Sequence, residues 1–181
     1  IRDPEFFRAM KGVTVRNQTR ALSIDRAAKT LLVKDVISGK EEKLPYDKLV
    51  LATGASPRVP PVEGKDLKNV LSLTRLEAAD AIRTACQEGK VNEAVIVGGG
   101  FIGLEAVALA DMWGVKVSVV EMMDQILPGV LSHSLARMAE HDCVSHKVDV
   151  YTSEKVLKLE GKDGAVSKVV TDKRELPAQL V

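Results

Sequence analysis

The chain is poor in three features that would each point to a class of protein. Only two cysteines, Cys86 and Cys143, occur in 181 residues. They lie far apart with no CxxC or other ligand spacing, which argues against a disulfide framework and a structural zinc site. Net charge is almost absent, since 26 basic side chains face 25 acidic ones and leave +1. Aromatics make up 3% of the residues. With no basic stripe and no aromatics interleaved in one, nucleic acid and membrane surfaces are not expected partners. No apolar run approaches the length of a membrane span and no signal peptide opens the chain, so the expected location is the cytoplasm. His133, His141 and His146 fall in a polar stretch that no cluster of acids or cysteines completes. Surface histidines are the expectation there, and no metal site.

Against these absences stands one dense stretch, residues 94–121. Ala94 to Val97 is a short apolar run, as expected of a parallel strand buried on both faces, and it ends directly at Gly98. Gly98, Gly100 and Gly103 then satisfy GxGxxG. In that pattern the first glycine makes the tight turn, the second lets main chain approach a pyrophosphate, and the third lets helix and strand pack closely. From Phe101 to Trp113 the residues are apolar nearly all round, interrupted by Glu105 and Asp111, which predicts one helix buried against the sheet. Its first N–H groups and positive dipole end face the turn and form an anion site. Val115 to Val120 is a second strand, closed by Glu121, 23 residues after Gly98. An acid at that position accepts hydrogen bonds from ribose hydroxyls and repels a 2′-phosphate, and no Arg or Lys follows until Arg137. The expected ligand is NAD(H), in preference to NADP(H).

The length allows one domain, or one domain and part of another. Upstream, residues 13–15, 21–24, 30–36 and 48–52 have β character, with Ser38-Gly39-Lys40 as a hairpin tip. Pro57, Pro60 and Pro61 forbid regular structure and place a domain boundary between Ser56 and Gly64. Beyond it, residues 69–73 read as a strand. Thr74 and Glu77 form a capping box for a helix to about Glu88, whose packing face carries Leu76, Ala79, Ile82 and Cys86. A helix over residues 132–143 and a strand over 148–151 follow. Residues 155–160 and 165–171 flank Asp163-Gly164, a strong hairpin signal.

Two motifs in this order resemble one family, the flavin-dependent pyridine nucleotide-disulfide oxidoreductases. One is the segment Tyr46 to Pro57, with its turn Ala52-Thr53-Gly54; the other is the fingerprint Gly98 to Glu105 followed by Glu121 to Pro128. The wording of the second is similar to the branch with NADH oxidases, CoA-disulfide reductases and persulfide or polysulfide reductases. The resemblance covers nearly the whole chain. It implies an α/β fold: a Rossmann-like doubly wound parallel sheet with a three-stranded antiparallel β-meander, preceded by a β-rich remnant of a flavin-binding domain. Residues 1–60 are then a partial FAD-binding domain and residues 61–181 an NAD(H)-binding domain.

The resemblance also implies roles. Gly98, Gly99, Gly100, Phe101, Ile102, Gly103, Glu105 and Glu121 would contact NAD(H), with Phe101 as a gate to the nicotinamide pocket and Glu105 as an acid near it. Ala52, Thr53 and Gly54 would lie near FAD. The family's N-terminal GxGxxG and redox cysteine have no counterpart upstream of the Ala-Thr-Gly turn, and neither Cys86 nor Cys143 matches that cysteine. The chain therefore reads as a central fragment with no catalytic residue of its own, from a parent that forms a homodimer through a C-terminal domain absent here. That parent would pass hydride from NADH to FAD and on to a disulfide, a persulfide or oxygen. A ferredoxin or rubredoxin reductase, a non-catalytic NADH sensor and a Rossmann domain for another adenosine ligand are the alternatives.

Overall fold

The computed structural model describes residues 3–181, which form two compact units. The first, up to Gly54, opens with helix α1 (Pro4–Lys11) and continues into an antiparallel sheet of β1 (Thr19–Asp25), β2 (Thr30–Asp35) and β3 (Glu41–Pro45) in the order β1-β2-β3. Helix α1, not anticipated from the sequence, has a full set of local signals. Asp3 accepts the Phe6 N–H at 2.8 Å, Pro4 sits at the first turn, and Gly12 closes the helix in the left-handed conformation, its N–H donating to the Arg8 carbonyl. The expected hairpin tip is found between β2 and β3. Asp35 accepts the N–H groups of Ile37 and Ser38, and Gly39 takes φ 74°. Two expected strands are not strands. Residues 13–15 and 48–52 have no strand alongside among the described residues, and Val50 and Leu51 are exposed. Alternation proposes a strand, but only a neighbour's hydrogen bonds make one.

The second unit, from Ala55 to the end, carries α2 (Leu76–Gln87), β4 (Glu93–Val97), α3 (Phe101–Ala106), α4 (Leu109–Trp113), β5 (Lys116–Val120), α5 (His133–Ser145) and β6 (Asp149–Tyr151). Strands β4, β5 and β6 form a parallel sheet in that order, a Rossmann-like arrangement. A meander of β7 (Val156–Lys162), β8 (Ala165–Thr171) and β9 (Glu175–Pro177) follows, as expected, with Asp163 and Gly164 at φ 53° and 79° in its first turn.

Period-two side-chain alternation sends the parallel sheet's residues to two separate cores. Ala94, Val117 and Val119 pack with Cys86, Leu109, Val148 and Leu180 on the helical side; Val95 and Val120 pack with Leu159, Val166, Val169 and Leu176 of the meander. Burial on both faces explains why these strands read as continuous apolar runs. Each such valine contributes about 1.5–3 kcal/mol. Strand β4's other edge is covered by the chain's end: Val95 N–H donates to the Leu180 carbonyl at 3.0 Å, and Leu71 N–H to the Val181 carbonyl at 2.8 Å. Residues 69–73, expected as a strand, are held through those bonds as an irregular segment with Asn69 at φ 67°.

Two helix expectations need correction. The single helix expected from Phe101 to Trp113 is divided into α3 and α4. Val107, Ala108 and Ala110 donate to carbonyls three residues back, which tightens one turn into a 3₁₀-like join. Phe101 and Ile102 are exposed rather than buried. The capping box at Thr74 and Glu77 does not form, because the helix starts one residue later than that pairing requires, with Arg75 at the cap and no side-chain bond there.

Candidate nucleotide site

Strand β4 ends against the glycine turn, and the turn is shaped from three directions. Gly98 takes φ 108°, a conformation that favours glycine, while its N–H donates to the Val120 carbonyl at 2.9 Å. A β-carbon at Gly103 would overlap the carbonyl oxygen of Gly98, so only glycine lets the helix start this close to the strand. At Gly100 the case is opposite. A β-carbon there would meet no protein atom within 4 Å and would project into open space. The first-turn amides of α3 beside it have no intrahelical acceptors.

Gly99 is a packing glycine. Its β-carbon would press on the side chain of Ile126, its carbonyl accepts the Leu127 N–H at 2.8 Å, and its N–H donates to Glu121 Oε2 at 2.8 Å. Glu121 is buried at the end of β5, and its other carboxylate oxygen accepts the Met123 N–H at 2.7 Å. The acid expected to meet a ribose thus also holds the turn.

A cleft of about 1040 Å³ opens over these strand ends. Gly98, Gly100, Phe101, Ile102, Gly103 and Glu121 line it, and residues 57–62 form another part of its wall. Gly99 and Glu105 are outside the lining, and Glu105 is exposed. Ala52, Thr53 and Gly54 belong to the first unit, where all three are exposed and Gly54 takes φ 72°.

Sequence reasoning missed the support beneath the acid. Glu154 is fully buried and its main-chain N–H donates to the Glu121 carbonyl at 3.0 Å. Its carboxylate receives the Thr171 hydroxyl at 2.6 Å and the Arg174 Nε at 3.0 Å, and the Arg174 guanidinium lies 4.0 Å over the Tyr151 ring. The Tyr151 carbonyl accepts the Glu121 N–H at 2.8 Å. A glutamate between Ser153 and Lys155 carries no periodic or motif signal that could have singled it out.

Cys86 belongs to the packing face of α2, as expected, and burial pushes its thiol up. Cys143 is half-buried, and burial first and the Asp142 charge second raise its thiol too. Neither is an activated thiolate. Among the described residues no helix is long and apolar enough to cross a membrane.

A parallel sheet with a glycine turn and a strand-end acid under one cleft defines a dinucleotide-binding fold. Comparison with known proteins narrows that class. The model of the family described as pyridine nucleotide-disulphide oxidoreductase matches residues 4–181. A CoA-dependent NAD(P)H sulfur oxidoreductase from Pyrococcus abyssi is 35% identical over 98% of this chain and 39% of its own length. Among solved structures, an FAD-dependent pyridine nucleotide-disulphide oxidoreductase from Desulfovibrio vulgaris is 51% identical, with TM-score 0.75 over 91% of this chain and 42% of that one. A NAD-dependent persulfide reductase from A. fulgidus is 38% identical, with TM-score 0.89 over 99% of this chain and 33% of that one. The chain belongs to the pyridine nucleotide-disulphide oxidoreductase family. It spans about two fifths of the length of the curated relatives it matches.

Proposed function

We propose that residues 61–181 form the NAD(H)-binding domain of a flavoprotein oxidoreductase, and that residues 1–60 are part of its FAD-binding domain. The observation that carries this reading is the empty volume at Gly100, set between a glycine that only a close strand–helix contact explains and a buried acid at the neighbouring strand end. A pyrophosphate fits that volume because main-chain amides can approach it without a side chain intervening. The adenosine ribose then lies beside Glu121, whose oxygens each retain a lone pair beyond the main-chain bond they accept. Phe101 would gate the nicotinamide end, a role supported by its exposed ring in the cleft lining.

NADH is the preferred donor, since a carboxylate at the ribose disfavours a 2′-phosphate. When both cofactors are bound they supply the hydride transfer from NADH to FAD, and the protein's part is to hold and orient them. Ala52, Thr53 and Gly54 would lie near the flavin. The names of the relatives, a sulfur oxidoreductase, an NADH oxidase and a persulfide reductase, support a disulfide, a persulfide or oxygen as the final acceptor.

Calorimetric titration of the chain with NADH is the test of affinity, and crystals soaked with NADH are the test of position. Pyrophosphate density against the amides of residues 98–103 is expected. No measurable binding, or density elsewhere, overturns the reading.

A further inference from the structure

We propose that Lys155 receives the 2′-phosphate of NADPH, so that this chain takes NADPH as a second cofactor and its preference for NADH is a narrow one. The proposal rests on the reading above, in which the adenosine ribose lies beside Glu121.

The lysine is far from the acid in sequence and next to it in the fold. Beyond the last residues of β5 and β6 the two chains stay stitched together: Ser153 N–H donates to the Met123 carbonyl at 2.6 Å and Glu154 N–H to the Glu121 carbonyl at 3.0 Å. Lys155 comes next, which puts its Cα within about 8 Å of the Glu121 carbonyl oxygen. Its main chain is fixed from the other side, its N–H donating to Asp172 Oδ1 at 2.9 Å and its carbonyl accepting the Asp172 N–H at 3.0 Å. The residue itself is exposed and lines the cleft together with Glu121 and Met122.

Charge at this end of the cleft is arranged so that the ammonium is uncommitted. Glu121 spends its carboxylate on the N–H groups of Gly99 and Met123, and Glu154 spends its own on Thr171 and Arg174. Among the described residues no carboxylate oxygen lies within 4.0 Å of Lys155 Nζ, whereas Lys65, another cation of the lining, is paired with Asp66 at 2.8 Å. Two terms therefore oppose each other at a 2′-phosphate. Glu121 repels it, with its charge damped by two main-chain donors, and Lys155 offers a charge-assisted hydrogen bond. A phosphate dianion gains more from a free ammonium than a neutral hydroxyl does, so the lysine acts on NADPH and hardly on NADH.

The test is the affinity of the 181-residue chain for NADH and NADPH, with Lys155→Met and the conservative Lys155→Arg. Lys155→Met should weaken NADPH about fivefold, the size of one partly exposed charge pair, and leave NADH within about twofold. Lys155→Arg should keep the NADPH affinity. The NADPH difference should shrink in high salt, where an exposed pair is screened. Loss of both affinities in parallel, or of neither, overturns the inference while leaving the NADH site standing. An unmodified chain that binds neither cofactor overturns the proposed function itself, and the inference with it.

Discussion

The main-chain N–H of Gly99 donates to Glu121 Oε2 at 2.8 Å across 22 residues of sequence, so the glycine turn and the end of β5 are one hydrogen-bonded unit. Removing that carboxylate strands two N–H groups, those of Gly99 and Met123. Glu121→Ala should therefore lower stability by roughly 2–4 kcal/mol, with Glu121→Gln intermediate because it keeps one acceptor. Urea unfolding measures it. A change below about 0.5 kcal/mol, the range of an ordinary surface substitution, would show that the bonds do not hold the turn.

The glycines of the fingerprint should separate into two behaviours. Gly100→Val adds its side chain to open space and should leave the fold intact while abolishing NADH binding, as circular dichroism and calorimetry would report. Gly103→Ala drives a methyl into the Gly98 carbonyl and should cost about 1–3 kcal/mol by overpacking. If Gly100→Val bound NADH normally, the pyrophosphate would not sit there.

Buried Glu154 depends on half-exposed Arg174 for its charge partner. Arg174→Met leaves a buried carboxylate with the Thr171 hydroxyl alone, and about 3 kcal/mol of destabilisation is expected. The double variant Glu154→Leu with Arg174→Met should recover most of it, because no uncompensated charge remains. A double variant as unstable as Arg174→Met would assign the loss to packing over Tyr151 instead.

His146, at the end of α5, titrates above the ordinary histidine range. Its Nδ1 lies 2.9 Å from the Asp142 carbonyl, the largest cause, and Asp111 and Asp142 carboxylates stand 3.9 and 4.0 Å away. A folded-state value raised above the unfolded one means that this contribution is complete below about pH 6.5 and fades as pH rises through the folded value. NMR titration should show the raised midpoint, and Asp111→Asn should lower it. An unchanged midpoint in that variant would remove Asp111 from the account.

What could be read in advance was local. The strand ending at Gly98, the strand ending at Glu121 and the Asp163-Gly164 hairpin each carry their signal in adjacent residues, and each appears where expected, whereas the helix closed by Gly114 is broken into α3 and α4. Strands 13–15 and 48–52 failed because pairing is not a property of one segment. Helix α1 was overlooked although Asp3, Pro4 and Gly12 mark both its ends.

Continuous apolar runs and glycine spacing by themselves determined that two parallel strands flank a glycine turn, since backbone sterics and burial act within a few residues. Only the tertiary structure decided that Gly99 packs on Ile126, that Glu121 is shared between the turn and the cleft, and that Glu154 and Lys155 stand beside it. Those relations join residues 22 to 33 positions apart or more, through single hydrogen bonds and one shared surface. Such contacts leave no period in the chain, because what selects them is the closing of β5 against β6 and not the order of the residues they join.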